Sequence, residues 1–148
     1  MAHTFLLNAG RWAVEGYWLE RNQLPLIVQG NLLVTWSRDE WLTMATRLTF
    51  PEQAHPEVTM QYRGKISPDD QRYTFVLQHS QLGRVEGEGW VGPMSIVQRY
   101  WVLSDRDKRT GLENLRWLTD RRYCFTSSIM AGNTLISSLE ATCDRLPG

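Results

Sequence analysis

From residue 11 onward the chain alternates. Trp12, Val14, Gly16 and Trp18 fall on one parity; Ala13, Glu15, Tyr17 and Leu19 fall on the other. A period of two is the mark of a strand that turns one face to a core. The pattern repeats along the chain and predicts about ten strands. They cover residues 12–20, 26–36 and 41–50, then runs marked by Val58-Met60-Tyr62 and Tyr73-Phe75-Leu77. Residues 83–90, 94–103, 112–118, 122–130 and 134–143 follow. Turn residues separate them: Arg-Asn-Gln-Leu-Pro at 21–25, Ser-Arg-Asp-Glu at 37–40, Ser-Pro-Asp-Asp at 67–70, and Ala-Gly-Asn at 131–133. One short helix is expected, near residues 4–8.

Short strands at hairpin spacing, with no internal repeat and no linker, predict a single all-β domain over residues 1–148. An antiparallel up-and-down barrel is favoured over a sandwich, because closure removes exposed edges and few strands carry an edge device such as a mid-strand Pro. A barrel of this strand number can enclose a cavity. Aromatic bulk on both parities then has two readings: walls of a ligand cavity, or plain packing and half-exposed cover.

Composition narrows the function classes. The 148 residues carry zero formal net charge and seven Trp. Balanced charge offers no electrostatic footprint for nucleic acid. No apolar run reaches membrane-spanning length, and the first residues lack the basic and apolar regions of a signal peptide, so a cytoplasmic location is expected. His3, His55 and His79 are scattered and the two cysteines have no metal spacing, so no metal site is expected. Cys124 and Cys143 are expected as thiols: a hairpin centred near Gly132 sets Cys143 opposite about residue 121, near 10 Å along the strand from Cys124 at ~3.3 Å per residue. No Gly-x-Ser-x-Gly elbow is present, and "GEGWVG" reads as strand and turn rather than a phosphate loop.

Gly10-Arg11-Trp12, opening the first strand after a short N-terminal segment, resembles the lipocalins and the wider calycin superfamily, in which the Trp closes one end of the barrel. The second half adds "GRVEGEGWVGPMSIVQRYW", "ENLRW", "RRYCFTSSI" and "SSLEATCDR". In this order, after "LLNAGRW", these segments resemble the S/U-type phycobiliprotein lyases of cyanobacteria, which are lipocalin-like barrels.

The resemblance implies a function in phycobilisome chromophore attachment: binding an open-chain tetrapyrrole, a bilin, and assisting its linkage to a cysteine of a phycobiliprotein subunit. The bilin would be ligand or substrate, with no permanently bound cofactor. Such a site needs apolar aromatic walls, donors for two propionates and an acid. Carried over residue by residue, the acid is Glu113. Tyr62 stands where the family tends to have an aromatic and Ser127 at the Ser of its Thr-Ser pair; Trp101, Tyr123 and Phe125 are expected as further ligand-binding walls, and Arg99 or Arg122 as a cation in place of those the chain lacks. The chain departs from the family pattern on the ninth strand, where Tyr123 and Phe125 stand at the arginines before Thr-Ser, and at Gly16, where the family has a basic residue. Both departures remove cations that would hold propionates. A chain without them fits an auxiliary member working with a second lyase subunit, or a homodimer. Two other classes stay open: a non-catalytic barrel for a fatty acid, tetrapyrrole or other apolar ligand, and an interaction protein whose interior is filled by its own side chains.

Overall fold

A computed structural model describes residues 3–66 and 71–147. The turn expected at 67–70 lies outside the described residues. Ten strands follow in chain order: β1 (Gly10–Glu20), β2 (Leu26–Trp36), β3 (Trp41–Thr49), β4 (Val58–Lys65), β5 (Arg72–His79), β6 (Gly83–Val91), β7 (Ser95–Trp101), β8 (Arg109–Thr119), β9 (Arg122–Ala131) and β10 (Thr134–Arg145). Each pairs antiparallel with its chain neighbour, and β1 pairs with β10 from Trp12↔Arg145 to Glu20↔Ser137. The sheet is therefore a closed up-and-down barrel. Residues on one parity of every strand form one continuous core, with Trp12, Val14 and Trp18 from β1 and Tyr73, Phe75 and Leu77 from β5 among them.

The N-terminal segment corrects an expectation. Residues 4–8 form no helix; the amide of Leu7 bonds back to the carbonyl of Phe5 at 2.7 Å, and Leu6 takes a φ of 66°. That is a three-residue turn, held by tertiary packing rather than by helical periodicity. Phe5 and Leu6 are fully buried across one end of the barrel. His3 anchors the segment. Its Nε2 donates to the carbonyl of Gly92 at 2.6 Å, so its Nδ1 accepts from the Tyr123 hydroxyl at 2.7 Å.

The same end explains the Gly-x-Trp. Trp12 is fully buried against Phe5 and edge-on to Tyr123, and the Arg145 guanidinium lies 5.5 Å from its ring centroid. Arg145 also donates to the carbonyl of Ala9 at 2.8 Å. A Cβ on Gly10 would fall 2.7 Å from that guanidinium, so a side chain there would push the arginine from its present place. The opposite end, where β1 finishes and β10 begins, is the mouth.

The thiols stay apart for a reason other than the expected offset. Cys143 pairs with Tyr123 and Cys124 with Thr142, so the two cysteines are one residue out of register, not three. Successive residues face opposite sides of a sheet. Cys143 points into the core and Cys124 outward, and both are free.

Candidate functional site

Polar side chains on an inward parity are the chemical anomaly of this barrel. β7 places Gln98 between Ile96 and Tyr100, and β8 places Glu113 between Gly111 and Leu115; all face inward. Glu113 is 1% exposed. Its Oε1 accepts from the Tyr62 hydroxyl at 2.6 Å and from Gln98 Nε2 at 3.1 Å. Gln98 Oε1 in turn accepts from the Tyr73 hydroxyl at 2.7 Å. The Glu113 Oε2 is buried without a hydrogen-bond partner. A buried carboxylate is costly unless fully satisfied, and burial pushes the Glu113 carboxyl up to about 7, against the pull of the Tyr62 and Gln98 donors. Burial, then the Glu113 charge, holds the Tyr62, Tyr73 and Tyr100 hydroxyls well above their ordinary range, and Tyr62 and Tyr73 act as donors in the cluster.

Glycines make room for this cluster. A Cβ on Gly89 would strike the Tyr73 ring at 2.3 Å, and one on Gly111 the Tyr100 ring at 2.1 Å. The glycine-rich β6 is thus a floor for its neighbour's aromatics. Tyr100 lies over Gly111, one inward position mouthward of Glu113. His79 sits beside Tyr100 with ring centroids 6.2 Å apart, and its Nδ1 accepts the amide of Gln81 at 3.0 Å. Burial lowers its imidazole to about 4.

The mouth is a depression of about 780 Å³ walled by Leu82, Ile129, Ile136 and Ser137, with Arg21 and Arg109 at its rim. The volume falls within the range of small-molecule sites. Arg109 is engaged by Asp105 at 2.8 Å, whereas Arg21 has no salt bridge among the described residues. Ser137 Oγ, like Glu113 Oε2, is buried without a partner. Ile129 and Ser137 are register partners; two residues deeper on β9, Ser127 pairs with Glu113. Ser127 is half-buried on that inward parity, so a column of inward positions leads from the mouth to the carboxyl.

The structure brings four of the expected site residues to one interior: Tyr62, Glu113, Phe125 and Ser127. Tyr123 is also inside but belongs to the closed end, its hydroxyl taken by His3 and the amides of Thr4 and Phe5. Arg99 and Trp101 are not cavity residues. Because Ile96, Gln98 and Tyr100 take the inward parity of β7, both face outside, with the Arg99 guanidinium 5.3 Å from the Trp101 ring centroid. Among the described residues no Lys or Arg is buried, and no group of His, Cys, Asp or Glu is placed to hold a metal ion. Tyr73, Gln98 and Tyr100 had not been singled out. Their signal was available in Gln98, a polar residue on the apolar parity of β7.

No protein-family model matches the chain. No curated protein matches it either. Among solved structures it is similar to Rv2717c from M. tuberculosis, with a TM-score of 0.72 and 14% sequence identity over 93% of this chain and 92% of that one. At that identity the likeness shows the barrel fold alone.

Proposed function

We propose that this barrel binds an open-chain tetrapyrrole of the bilin class and assists its attachment to a cysteine of a phycobiliprotein in the cytoplasm. The observation that carries the reading is the Glu113 carboxyl, buried among aromatic side chains and raised to about 7, with one oxygen unpartnered. Two donors already converge on Oε1, so a bound proton sits on Oε2. Near neutrality the group offers a proton to a ring nitrogen, or in its charged form accepts a pyrrole N–H. Protonation draws electrons from the conjugated chain and makes an exocyclic ethylidene or vinyl carbon electrophilic. The client thiol then adds: a C–S bond forms, the C=C π bond breaks, and the thiol's proton replaces the one delivered, with no leaving group. The mouth suits the ligand body at Leu82, Ile129 and Ile136, and a propionate at Arg21. The Tyr100 ring must swing for a ligand nitrogen to reach Glu113.

A second reading, a non-catalytic carrier of an apolar ligand, is favoured by one observation: no cation stands inside among the described residues. One experiment separates them. The chain is co-expressed with a phycobiliprotein subunit, a bilin source and candidate partner barrels, and the denatured client is read by zinc-enhanced fluorescence. The lyase reading expects labelling that Glu113→Gln removes while bilin absorbance stays with the barrel. Bilin retained without labelling in any combination leaves the carrier. No bilin retained at all refutes the lyase reading and leaves a carrier only for some other apolar ligand.

A further inference from the structure

The outer wall of β3–β7 has an order independent of what the barrel binds. Two rows of outward side chains cross these strands in register. One row runs Trp41, Lys65, Thr74, Glu88, Arg99; the next runs Thr43, Arg63, Val76, Glu86, Trp101. The middle strand β5 contributes only the small Thr74 and Val76, and the long side chains around them leave a groove of about 500 Å³. Its β4 wall is basic and its β6 wall acidic. Glu88 is engaged within the chain, by Arg72 at 2.7 Å and Arg99 at 3.6 Å. Arg63, Lys65 and Glu86 have no salt bridge among the described residues. The Arg63 guanidinium instead lies over Trp41, 4.9 Å from its centroid.

We propose that this face pairs with a second copy of the chain about a twofold axis running along β5. Such an axis exchanges left and right across β5 and preserves position along it. It sets β4 of one copy on β6 of the other, row for row: Arg63 meets the partner copy's Glu86, twice by symmetry, and Lys65 meets the partner copy's Glu88. It also sets Trp41 over the partner copy's Arg99. A barrel wall is convex, so two copies approach most closely along β5, where Thr74 and Val76 are small, and the longer side chains on β3, β4, β6 and β7 fill the widening gap. The surface is self-complementary in the way an isologous interface requires, and opposite charges in register are what select a partner. The basic and acidic walls match each other through that one operation, so a second copy satisfies both at once.

Sedimentation of the full chain tests this. Wild type is expected to dimerise, more weakly at high salt. Arg63→Glu and Glu86→Arg should each weaken self-association on the order of tenfold or more by creating two like-charge contacts. Mixing the two single variants should restore a heterodimer, and the double variant should restore the homodimer. Both residues are exposed, so each variant should melt with wild type; should either fail to fold, Thr74→Arg, which puts a bulky charge on the line of contact, must give a monomer. A wild type that stays monomeric, including one that uses this face only for another protein, overturns the proposal. So does a dimer that ignores both charge reversals, or single variants that fail to pair when mixed.

Discussion

Replacing Glu113 with Gln tests the buried carboxyl directly. The amide that replaces the carboxyl keeps an oxygen to accept from Tyr62 and Gln98, so the change removes ionisation rather than packing. Raising the carboxyl from 4.5 to about 7 makes its ionisation inside the barrel cost about 3 kcal/mol. A raised pKa means the folded state holds the proton more tightly, so this stability is fully present below pH 4.5 and is lost as pH rises to 7. His79 acts oppositely. Its imidazole is lowered from 6.5 to about 4, also worth about 3 kcal/mol, and that stability is lost as pH falls through the same window. Between pH 4.5 and 6.5 the two slopes cancel. Glu113→Gln should therefore unmask the His79 slope and gain stability with rising pH, while His79→Gln should lose it. Urea unfolding from about pH 4 to 8 reads both. The difference between wild type and Glu113→Gln should change by about 3 kcal/mol, roughly 10 °C in Tm for a chain of this size. A difference that stays constant with pH would mean that Glu113 is solvated or that its neighbours move to neutralise it, and the buried-acid argument would fail.

Gly111→Ala should destabilise the barrel by about 2 kcal/mol or more, because the new methyl falls 2.1 Å from the Tyr100 ring, and Tyr100→Ala in that background should recover part of the loss. Arg145→Ala should cost roughly 1–3 kcal/mol and shift Trp fluorescence to the red, since the guanidinium covers Trp12 and bonds the carbonyl of Ala9. Phe125→Arg puts a guanidinium where a side chain is 2% exposed; it should lower stability by about 3–5 kcal/mol in urea unfolding, without improving retention of free bilin. Alkylation without reductant should find two thiols, Cys124 first, because burial removes Cys143 from solvent and pushes its thiol up to about 12.

The barrel could be read from the sequence because its signal is local and redundant. Each strand states its own parity, and turn residues mark most ends. The expectations that failed depend on facts that parity does not carry. The segment at 4–8 has a composition that tolerates a helix, yet Phe5 and Leu6 are drawn across the barrel end and Leu6 is held at positive φ. The register of Cys143 depended on the tight loop at Gly132, where Thr134 pairs with Ala131, and on the bulge between Leu135 and Ser137. Arg99 and Trp101 suit a bilin cavity by residue type, but on β7 the inward parity is already claimed by Ile96 and Tyr100.

Parity on β7 and β8 also makes the interior network point one way. Once Ile96 and Tyr100 face inward, Gln98 must as well; once Gly111 and Leu115 do, so must Glu113. Register then makes Gln98 and Glu113 direct cross-strand partners. A buried amide needs both a donor and an acceptor partner, and Tyr73 supplies the donor to its oxygen. The amide's N–H is left to aim at Glu113, whose Oε1 accepts whether or not Oε2 carries a proton. Tyr62, arriving from β4, adds a second donor to the same oxygen. Every hydrogen in the network therefore runs toward Oε1, and nothing in the barrel is placed to serve Oε2 among the described residues. A network built only for stability would gain by closing that last oxygen, since an unpaired buried polar atom costs about 1–3 kcal/mol. The arrangement leaves one acidic O–H without a partner among the described residues, and in the function proposed above it is this O–H that a ligand's basic nitrogen or carbonyl would meet.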